Sequence, residues 1–128
     1  MRRLSLLIAC ATVLLSAGCR RQAGPSAAIT LTHDITPQPV RVGPASIILN
    51  LKDGAAQPLA GAHITLEGDM THPGMAPVFS EAKEIAPGRY QGHLEFGMGG
   101  DWVVLVHATL SNGQRLEREI DVKGVEEK

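Results

Sequence analysis

Soft metal-binding side chains are concentrated in the hexapeptide Met70-Thr71-His72-Pro73-Gly74-Met75. Its Pro-Gly pair suits the two central positions of a type II turn, because proline fixes φ at the first and glycine supplies the positive φ at the second. A turn of this kind brings the Cα atoms of His72 and Met75 within about 7 Å. Met70 lies two residues before His72, and therefore on the same side of an extended chain. The hexapeptide can direct two thioethers and one imidazole toward one point without help from the rest of the fold.

A further methionine, Met98, lies between two glycines in the segment Gly97–Asp101. Glycines let the backbone approach closely, and a glycine-rich segment is an unusual position for a methionine that only fills a core. Thioethers and imidazoles together are soft to borderline ligands that suit copper, above all Cu(I). The residue types alone leave two interpretations open. Either the methionines and His72 belong to a copper site, or the methionines fill gaps at the end of the domain with His72 exposed beside them.

Sequence motifs of enzymes are missing from the chain. It has no GxSxG nucleophile elbow, no HExxH zinc motif and no P-loop, and its carboxylates are scattered without a pair placed for acid–base catalysis. The remaining histidines give no site either: His63, His93 and His107 project from predicted strands and are interpreted as exposed, and His33 as a surface residue. We therefore predict that the protein is not an enzyme.

Size and charge exclude two further classes of protein. With 128 residues, the chain has the length of one domain. Its 12 Lys and Arg residues, against 13 Asp and Glu, provide no basic surface for nucleic acid. Aromatic residues make up 3% of the sequence, too few for a base-stacking platform. We expect neither a multidomain enzyme nor a nucleic-acid-binding protein.

The N-terminal segment has the pattern of an export signal. Arg2 and Arg3 precede an apolar run over residues 4–17, which as a helix would be about 21 Å long, shorter than the ~30 Å hydrocarbon core of a bilayer. The run ends in Leu15-Ser16-Ala17-Gly18-Cys19, which resembles the bacterial lipobox, whose cysteine receives a lipid. We predict a lipoprotein signal peptide over 1–18 and a lipidated Cys19. The alternative is an ordinary signal peptide that contains a cysteine.

Residues 19–27 have no periodicity and contain Gly, Pro and Ser, which predicts a short tether between the lipid and the domain. Arg20 follows the cysteine, and by resemblance to enterobacterial sorting the lack of Asp there disfavours retention in the inner membrane. We therefore expect a protein anchored in the bacterial cell envelope, in the outer membrane and facing the periplasm. Because Cys10 lies in the signal and Cys19 carries the lipid, the domain over 28–128 has neither a disulfide nor a free thiol.

Alternation of apolar and polar residues with period two recurs along this domain and predicts β-strands. About seven short strands separated by turn-like segments predict an all-β fold, an immunoglobulin-like antiparallel β-sandwich, with a small barrel as the alternative. The segments with the pattern are 29–32, 46–52, 62–67, 89–96 and 116–122. Residues 102–110 form a nearly continuous β-rich run, which is expected of a central strand buried on both faces.

Two turns and one charged residue give further expectations. Asn112-Gly113 is a strong signal for a hairpin between the last two strands. Gly97–Asp101 is predicted as the loop of a hairpin between strands 89–96 and 102–110. Arg118 falls on the apolar face of the last strand, so it either reaches out to solvent or marks a bulge.

The stretch Gly61–Val106 resembles the YtkA-like and FixH-like domains of exported bacterial proteins. The resemblance implies an immunoglobulin-like sandwich and a link to copper handling, and FixH relatives are associated with the assembly of copper-containing respiratory oxidases. FixH proteins usually carry a membrane helix, whereas this chain has the pattern of a lipid anchor. The matching residues are Met70-x-His72-x-x-Met75, Gly88-Arg89-Tyr90 and Leu94-x-Phe96-x-Met98-x-Gly100-x-Trp102-x-Val104.

Carried over residue by residue, the resemblance implies a soft-metal site formed by Met70, His72, Met75 and Met98, with the Pro73-Gly74 turn setting its geometry. The expected function is that of a lipid-anchored, non-catalytic protein that binds a copper ion for metal handling or oxidase assembly. Its expected partners are the membrane, through the lipid, and a copper-handling or respiratory-oxidase assembly protein. The alternative is a metal-free sandwich that docks on an envelope protein complex, with Met75 and Met98 as contact residues.

Overall fold

The computed structural model describes residues 28–128, so the predicted signal peptide over 1–18, the tether over 19–27 and the lipidated Cys19 lie outside the described residues. Within 28–128, no helix has the length and apolar character needed to cross a membrane. The described chain forms seven β-strands. They are β1 (Thr30–Thr36), β2 (Gly43–Lys52), β3 (His63–Met70), β4 (Val78–Ala86), β5 (Arg89–Phe96), β6 (Gly100–Thr109) and β7 (Arg115–Val125).

The strands form two layers with immunoglobulin-like topology. The hydrogen-bonded order is β1-β2-β5-β4-β3-β6-β7, and every neighbouring pair is antiparallel. Strands β1, β2 and β5 make one layer and β3, β6 and β7 the other, which is the strand distribution of the immunoglobulin fold. The layers pack face to face: a Cβ built on Gly92 of β5 would lie 2.5 Å from Leu66 Cδ1 of β3. The predicted fold is confirmed.

Both sides of the sandwich are partly closed. On one side β4 changes partner, because Val78–Ala82 pairs with β3 and the residues from Lys83 to Ala86 pair with β5. On the other side the chain after β7 bonds to the β1–β2 connection: Val42 N–H donates to Glu126 O, and Glu126 N–H donates to Val40 O, both at 2.9 Å. The structure is therefore a nearly closed sandwich, which is why the sequence pattern also fitted a small barrel.

The core of the described domain is apolar. Its largest buried side chains are Trp102, Tyr90 and Phe96, and the rings of Phe96 and Trp102 pack edge to face with centroids 5.2 Å apart. No polar or charged residue of 28–128 is fully buried. Because the core residues run from Ile29 to Val125, a chain beginning at residue 19 retains every core contact that the structure describes.

The two predicted hairpins have different outcomes. The Asn112-Gly113 hairpin is confirmed: β6 pairs with β7, Gly113 has a φ of 84°, and Leu110 N–H donates to Gln114 O at 2.7 Å. The hairpin across Gly97–Asp101 is wrong, because β5 pairs with β2 and β4 while β6 pairs with β3 and β7. This loop carries the chain from one layer to the other.

Arg118 reaches away from the apolar face and does not mark a bulge, which was the other expectation. It shares a strand face with the buried Leu116 and Ile120, and its guanidinium extends to the carbonyl of Ile29 at 3.5 Å. The irregularity in the β6–β7 pairing lies between Gly100 and Trp102 instead.

The described chain enters the domain at one end of the sandwich. Ala28 packs beside Gly54, in the loop that follows β2, where a Cβ built on the glycine would lie 2.9 Å from the Ala28 Cβ. Thr30 at the start of β1 pairs with Lys52 at the end of β2. This end also holds the start of β3 and of β5.

Candidate metal centre

The Met/His loop connects β3 to β4. β3 ends at Met70 and β4 begins at Val78, and the chain turns between them at Pro73-Gly74. Gly74 has a φ of 88°, close to the value that the second central position of a type II turn requires. His72 is exposed, and Met75 exposes 40% of its surface. The loop therefore has the turn expected from its sequence and presents its donor side chains to solvent.

The second donor loop, between β5 and β6, is held by its backbone. Met98 O accepts the indole N–H of Trp102 at 2.9 Å, and Gly99 N–H donates to Glu127 Oε1 at 2.9 Å. A Cβ on Gly99 would lie only 2.9 Å from the backbone carbonyl oxygen of Val125, so the close approach requires glycine. Met98 itself exposes 47% of its surface. These hydrogen bonds fix the backbone of the loop, and the Met98 side chain remains exposed to solvent.

The two donor loops lie at the same end of the sandwich. β3 and β6 are antiparallel neighbours, with Met70 directly opposite Trp102. Thr71 donates both its N–H and its hydroxyl to Asp101 O, each at 3.3 Å. The methyl carbon of Met70 lies 3.2 Å from the position that a Cβ on Gly100 would take. The loop from Met70 to Met75 and the loop from Gly97 to Asp101 are thus in direct contact.

We call the set Met70, His72, Met75 and Met98 the methionine rim. Its three thioethers have two environments. Met70 is half-buried and packs against the hydrophobic core, which agrees with the gap-filling interpretation for this residue. Met75 and Met98 are among the exposed large hydrophobic side chains of the domain, which a core-filling role does not explain. The rim therefore combines one shielded thioether with two exposed ones and an exposed imidazole.

Trp102 and Asp101 position the second donor loop. Trp102 is 1% exposed, and its indole N–H on Met98 O couples the loop to the core. The carboxylate of Asp101 accepts the Gly124 N–H at 2.9 Å and lies 4.0 Å from Lys123 Nζ. From the sequence, Trp102 is interpreted as a core anchor, with the shielding of Met98 as a secondary role. The bond from its indole to a residue four positions earlier depends on how the loop crosses between layers, which residue spacing does not show.

His107 differs from its sequence interpretation. It is half-buried on β6, and its ring nitrogens lie 2.8 Å from Glu67 Oε2 and 3.1 Å from Glu117 Oε2. His63 and His93 are exposed as expected. Across residues 28–128, no group of three or more His, Cys, Asp or Glu side chains is arranged to hold a metal ion. In the described domain, a metal site would therefore depend on the thioethers of the rim together with His72.

The titratable groups with altered pKa values lie at the end opposite the rim. Hydrogen bonds from the backbone N–H of Gly88 and Gly61, at 3.2 Å, lower the pKa of Glu84. Burial raises the pKa of Tyr90, whose hydroxyl donates to Leu59 O at 2.6 Å and accepts the Ala62 N–H at 3.0 Å. Residue spacing and periodicity do not reveal either arrangement. These side chains fix the loop before β3 and form no acid–base pair at the rim.

The family model of YtkA-like proteins matches residues 26–107, more than half of the 128-residue chain. The chain belongs to the YtkA-like family. No curated protein sequence matches it. In this YtkA-like domain the matched segment contains all four residues of the methionine rim. β7, and Glu127 that holds Gly99, lie beyond the match.

Several solved structures are similar to this YtkA-like domain to different degrees. Superoxide reductase (neelaredoxin) from Ignicoccus hospitalis is 14% identical with a TM-score of 0.53, and the match covers 84% of this chain and 87% of that one. The soluble domain of PmoD from Methylocystis sp. ATCC 49242 (Rockwell) is 17% identical with a TM-score of 0.47, over 76% of this chain and 90% of that one. Murine CRIg is 12% identical with a TM-score of 0.42, over 77% and 98%.

Proposed function

We propose that this YtkA-like protein is a non-catalytic copper-binding protein of the bacterial cell envelope, anchored by a lipid on Cys19, which carries Cu(I) on its methionine rim. One observation carries the proposal. Two loops that are far apart in sequence and rich in soft donors are in contact at one end of the sandwich, through Thr71 with Asp101 and Met70 with Gly100. The exposure of Met75 and Met98, at 40% and 47% of their surfaces, supports access of a metal to these residues.

The donor set favours Cu(I) over harder cations. Thioethers select Cu(I), whereas carboxylates and carbonyls suit magnesium, calcium and manganese. Met75, Met98 and His72 would supply neutral ligands from the exposed side, and Met70 would supply a ligand from the half-buried side. The Gly74 turn and the Trp102–Met98 bond would hold the ligands in position. The domain's task would be to hold copper and pass it to a copper-handling or respiratory-oxidase assembly protein.

Titration of the protein with Cu(I) against bathocuproine disulfonate tests this function. The chain from residue 19 onward, carrying Cys19→Ser so that no thiolate competes, should bind one copper ion. Replacing His72 with Ala and Met75 with Leu together should weaken binding at least 10-fold, because two of four soft ligands are lost. His93→Ala, an exposed histidine on the other layer, is the matched control. Equal affinity of parent and double variant would contradict the proposal.

A metal-free interaction module is the second candidate function. It is favoured by Phe79, which exposes 64% of its surface on β4, because an exposed aromatic side chain can anchor a partner. In this case Met75, Phe79 and Met98 would contact an envelope protein complex directly. Capture of one defined complex from membranes, reduced by Phe79→Ser and indifferent to copper chelators, would support this function. Loss of capture on chelation would count against it.

A further inference from the structure

The three thioethers of the described domain differ in their accessibility to oxidants. Met98 and Met75 expose 47% and 40% of their surfaces, whereas Met70 is half-buried against the core with its methyl carbon against Gly100. Methionine is oxidised reversibly to the sulfoxide, which turns an apolar thioether into a polar, chiral group. The rim therefore contains two methionines that are exposed to a small oxidant and one that the fold partly shields.

We propose that the methionine rim is a redox-sensitive modification site, at which hydrogen peroxide oxidises Met75 and Met98 and thereby weakens binding of Cu(I). This inference rests on the proposed copper function. In each reaction the sulfur lone pair attacks one peroxide oxygen, an S–O bond forms and the O–O bond breaks. Sulfur loses two electrons, the peroxide is reduced, and one water molecule leaves. Thioether and hydrogen peroxide thus give sulfoxide and water with no further reactant.

Oxidation would act on metal binding and leave the fold intact. A sulfoxide presents a hard oxygen in place of a soft sulfur, so it no longer favours Cu(I). Met75 and Met98 project outward, and the hydrogen bonds that fix their loops come from backbone groups: Met98 O with Trp102, and Gly99 N–H with Glu127. Neither bond includes a sulfur atom. Met70, which packs on the core, would stay reduced and preserve the contact between the loops.

A bound soft metal ion should in turn protect the exposed methionines from oxidation. A bound soft cation occupies the lone pair with which sulfur attacks peroxide, so the loaded rim should resist oxidation at Met75 and Met98. Silver(I) is a suitable probe for this effect, because it is a soft monovalent cation that does not cycle with peroxide as copper does.

The experiment uses the Cys19→Ser chain from residue 19 onward. The metal-free protein is treated with hydrogen peroxide, the peroxide is removed with catalase, and peptide mass spectrometry follows each methionine over time. We expect Met75 and Met98 to be oxidised several-fold faster than Met70. The oxidised protein should bind Cu(I) at least 10-fold more weakly than the reduced protein, and methionine sulfoxide reductases should restore the affinity. Silver(I) should slow oxidation at both exposed methionines.

The Met75→Leu, Met98→Leu variant is the matched control, because its remaining affinity should not respond to peroxide. Absence of Cu(I) binding by the reduced parent would overturn the proposed function, and this inference with it. Copper binding that survives oxidation of Met75 and Met98 would overturn the inference alone. Equal oxidation rates at all three methionines, or an oxidised chain that has lost its β-sheet circular dichroism, would also overturn it.

Discussion

The two ends of the sandwich use their polar groups in opposite ways. At the end where the described chain enters, the Tyr90 hydroxyl and the Glu84 carboxylate bind backbone groups of the loop before β3. At the rim end, Trp102 and Glu127 bind backbone groups of the Met98 loop and leave its side chain exposed. At one end, polar side-chain atoms form hydrogen bonds that stabilise the fold. At the other, the fold stabilises a loop whose side chain remains available for binding.

A matched pair of glycine substitutions should show the largest difference between the ends. Gly88 and Gly74 both have positive φ, at 72° and 88°. A Cβ on Gly88 would lie 2.7 Å from Pro58 Cβ and 2.9 Å from Leu51 O, whereas nothing lies within 4 Å of a Cβ on Gly74. Gly74→Ala should cost about 1–2 kcal/mol for its φ alone. Gly88→Ala should cost a further 1–3 kcal/mol or so because backbone must move.

Urea denaturation of the two variants measures this difference in the free energy of unfolding. Equal destabilisation would mean that the crowding around Gly88 relaxes without cost, and that the two ends are equally tolerant. Cu(I) affinity provides the second measurement. It should change for Gly74→Ala, whose turn positions His72 and Met75, and should not change for Gly88→Ala.

The acid stability of the domain should depend on Glu84. Its pKa in the folded protein lies below the ordinary value of 4.5 because Gly88 and Gly61 donate to the carboxylate. The charged form therefore contributes stability above pH 4.5, and this contribution is lost as the pH falls through the lower, folded-state pKa. Glu84→Gln should reduce the free energy of unfolding at pH 7, and the difference from the parent should shrink below pH 4.5. Glu81→Gln, on the same strand, is the control, and a pH-independent difference would contradict this assignment.

The smallest expected effect concerns Glu127. Its carboxylate accepts the Gly99 N–H, so Glu127→Ala should loosen the Met98 loop and weaken Cu(I) binding about two- to five-fold. This change in affinity corresponds to a hydrogen-bond contribution of roughly 0.5–1 kcal/mol. The free energy of unfolding should change by less than about 0.5 kcal/mol, as for other surface substitutions. Glu126→Ala removes a neighbouring carboxylate that pairs with Arg41 and should leave copper affinity unchanged. If both variants bind copper like the parent, Glu127 does not position the rim.

Local patterns predicted the elements of this fold better than their pairing. Period-two alternation and the β-rich run 102–110 indicated six of the seven strands, and the Asn112-Gly113 signal indicated the last hairpin, because both kinds of pattern depend on neighbouring residues. No predicted segment covered β4. The loop Gly97–Asp101 shows the limit. Its glycines indicate a turn, but nothing local distinguishes a turn within a layer from a crossing between layers. The loop crosses between layers because β2 and β4 pair with the two edges of β5 and leave no edge for β6.

Only one part of the candidate site could be predicted from neighbouring residues. The turn that links His72 to Met75 is encoded directly by Pro73-Gly74. The contact of their loop with Gly97–Asp101 comes from the pairing of β3 with β6. From the sequence, this contact could be inferred only through the resemblance to a family. The contacts of Glu84 with Gly61 and of Tyr90 with Leu59 span 23 and 31 residues. Contacts of that separation leave no mark on periodicity or turn signals.

The position of Ala28 beside Gly54 determines how an anchored protein would present its cargo. The tether predicted over residues 19–27 would join the domain at the end opposite the rim. Nine residues span at most about 30 Å, and strands of eight to ten residues add roughly 30 Å more. Copper on the rim would then stand up to about 60 Å from the bilayer surface. Delivery would be directed across the periplasm, to an acceptor that need not share the membrane of the anchor.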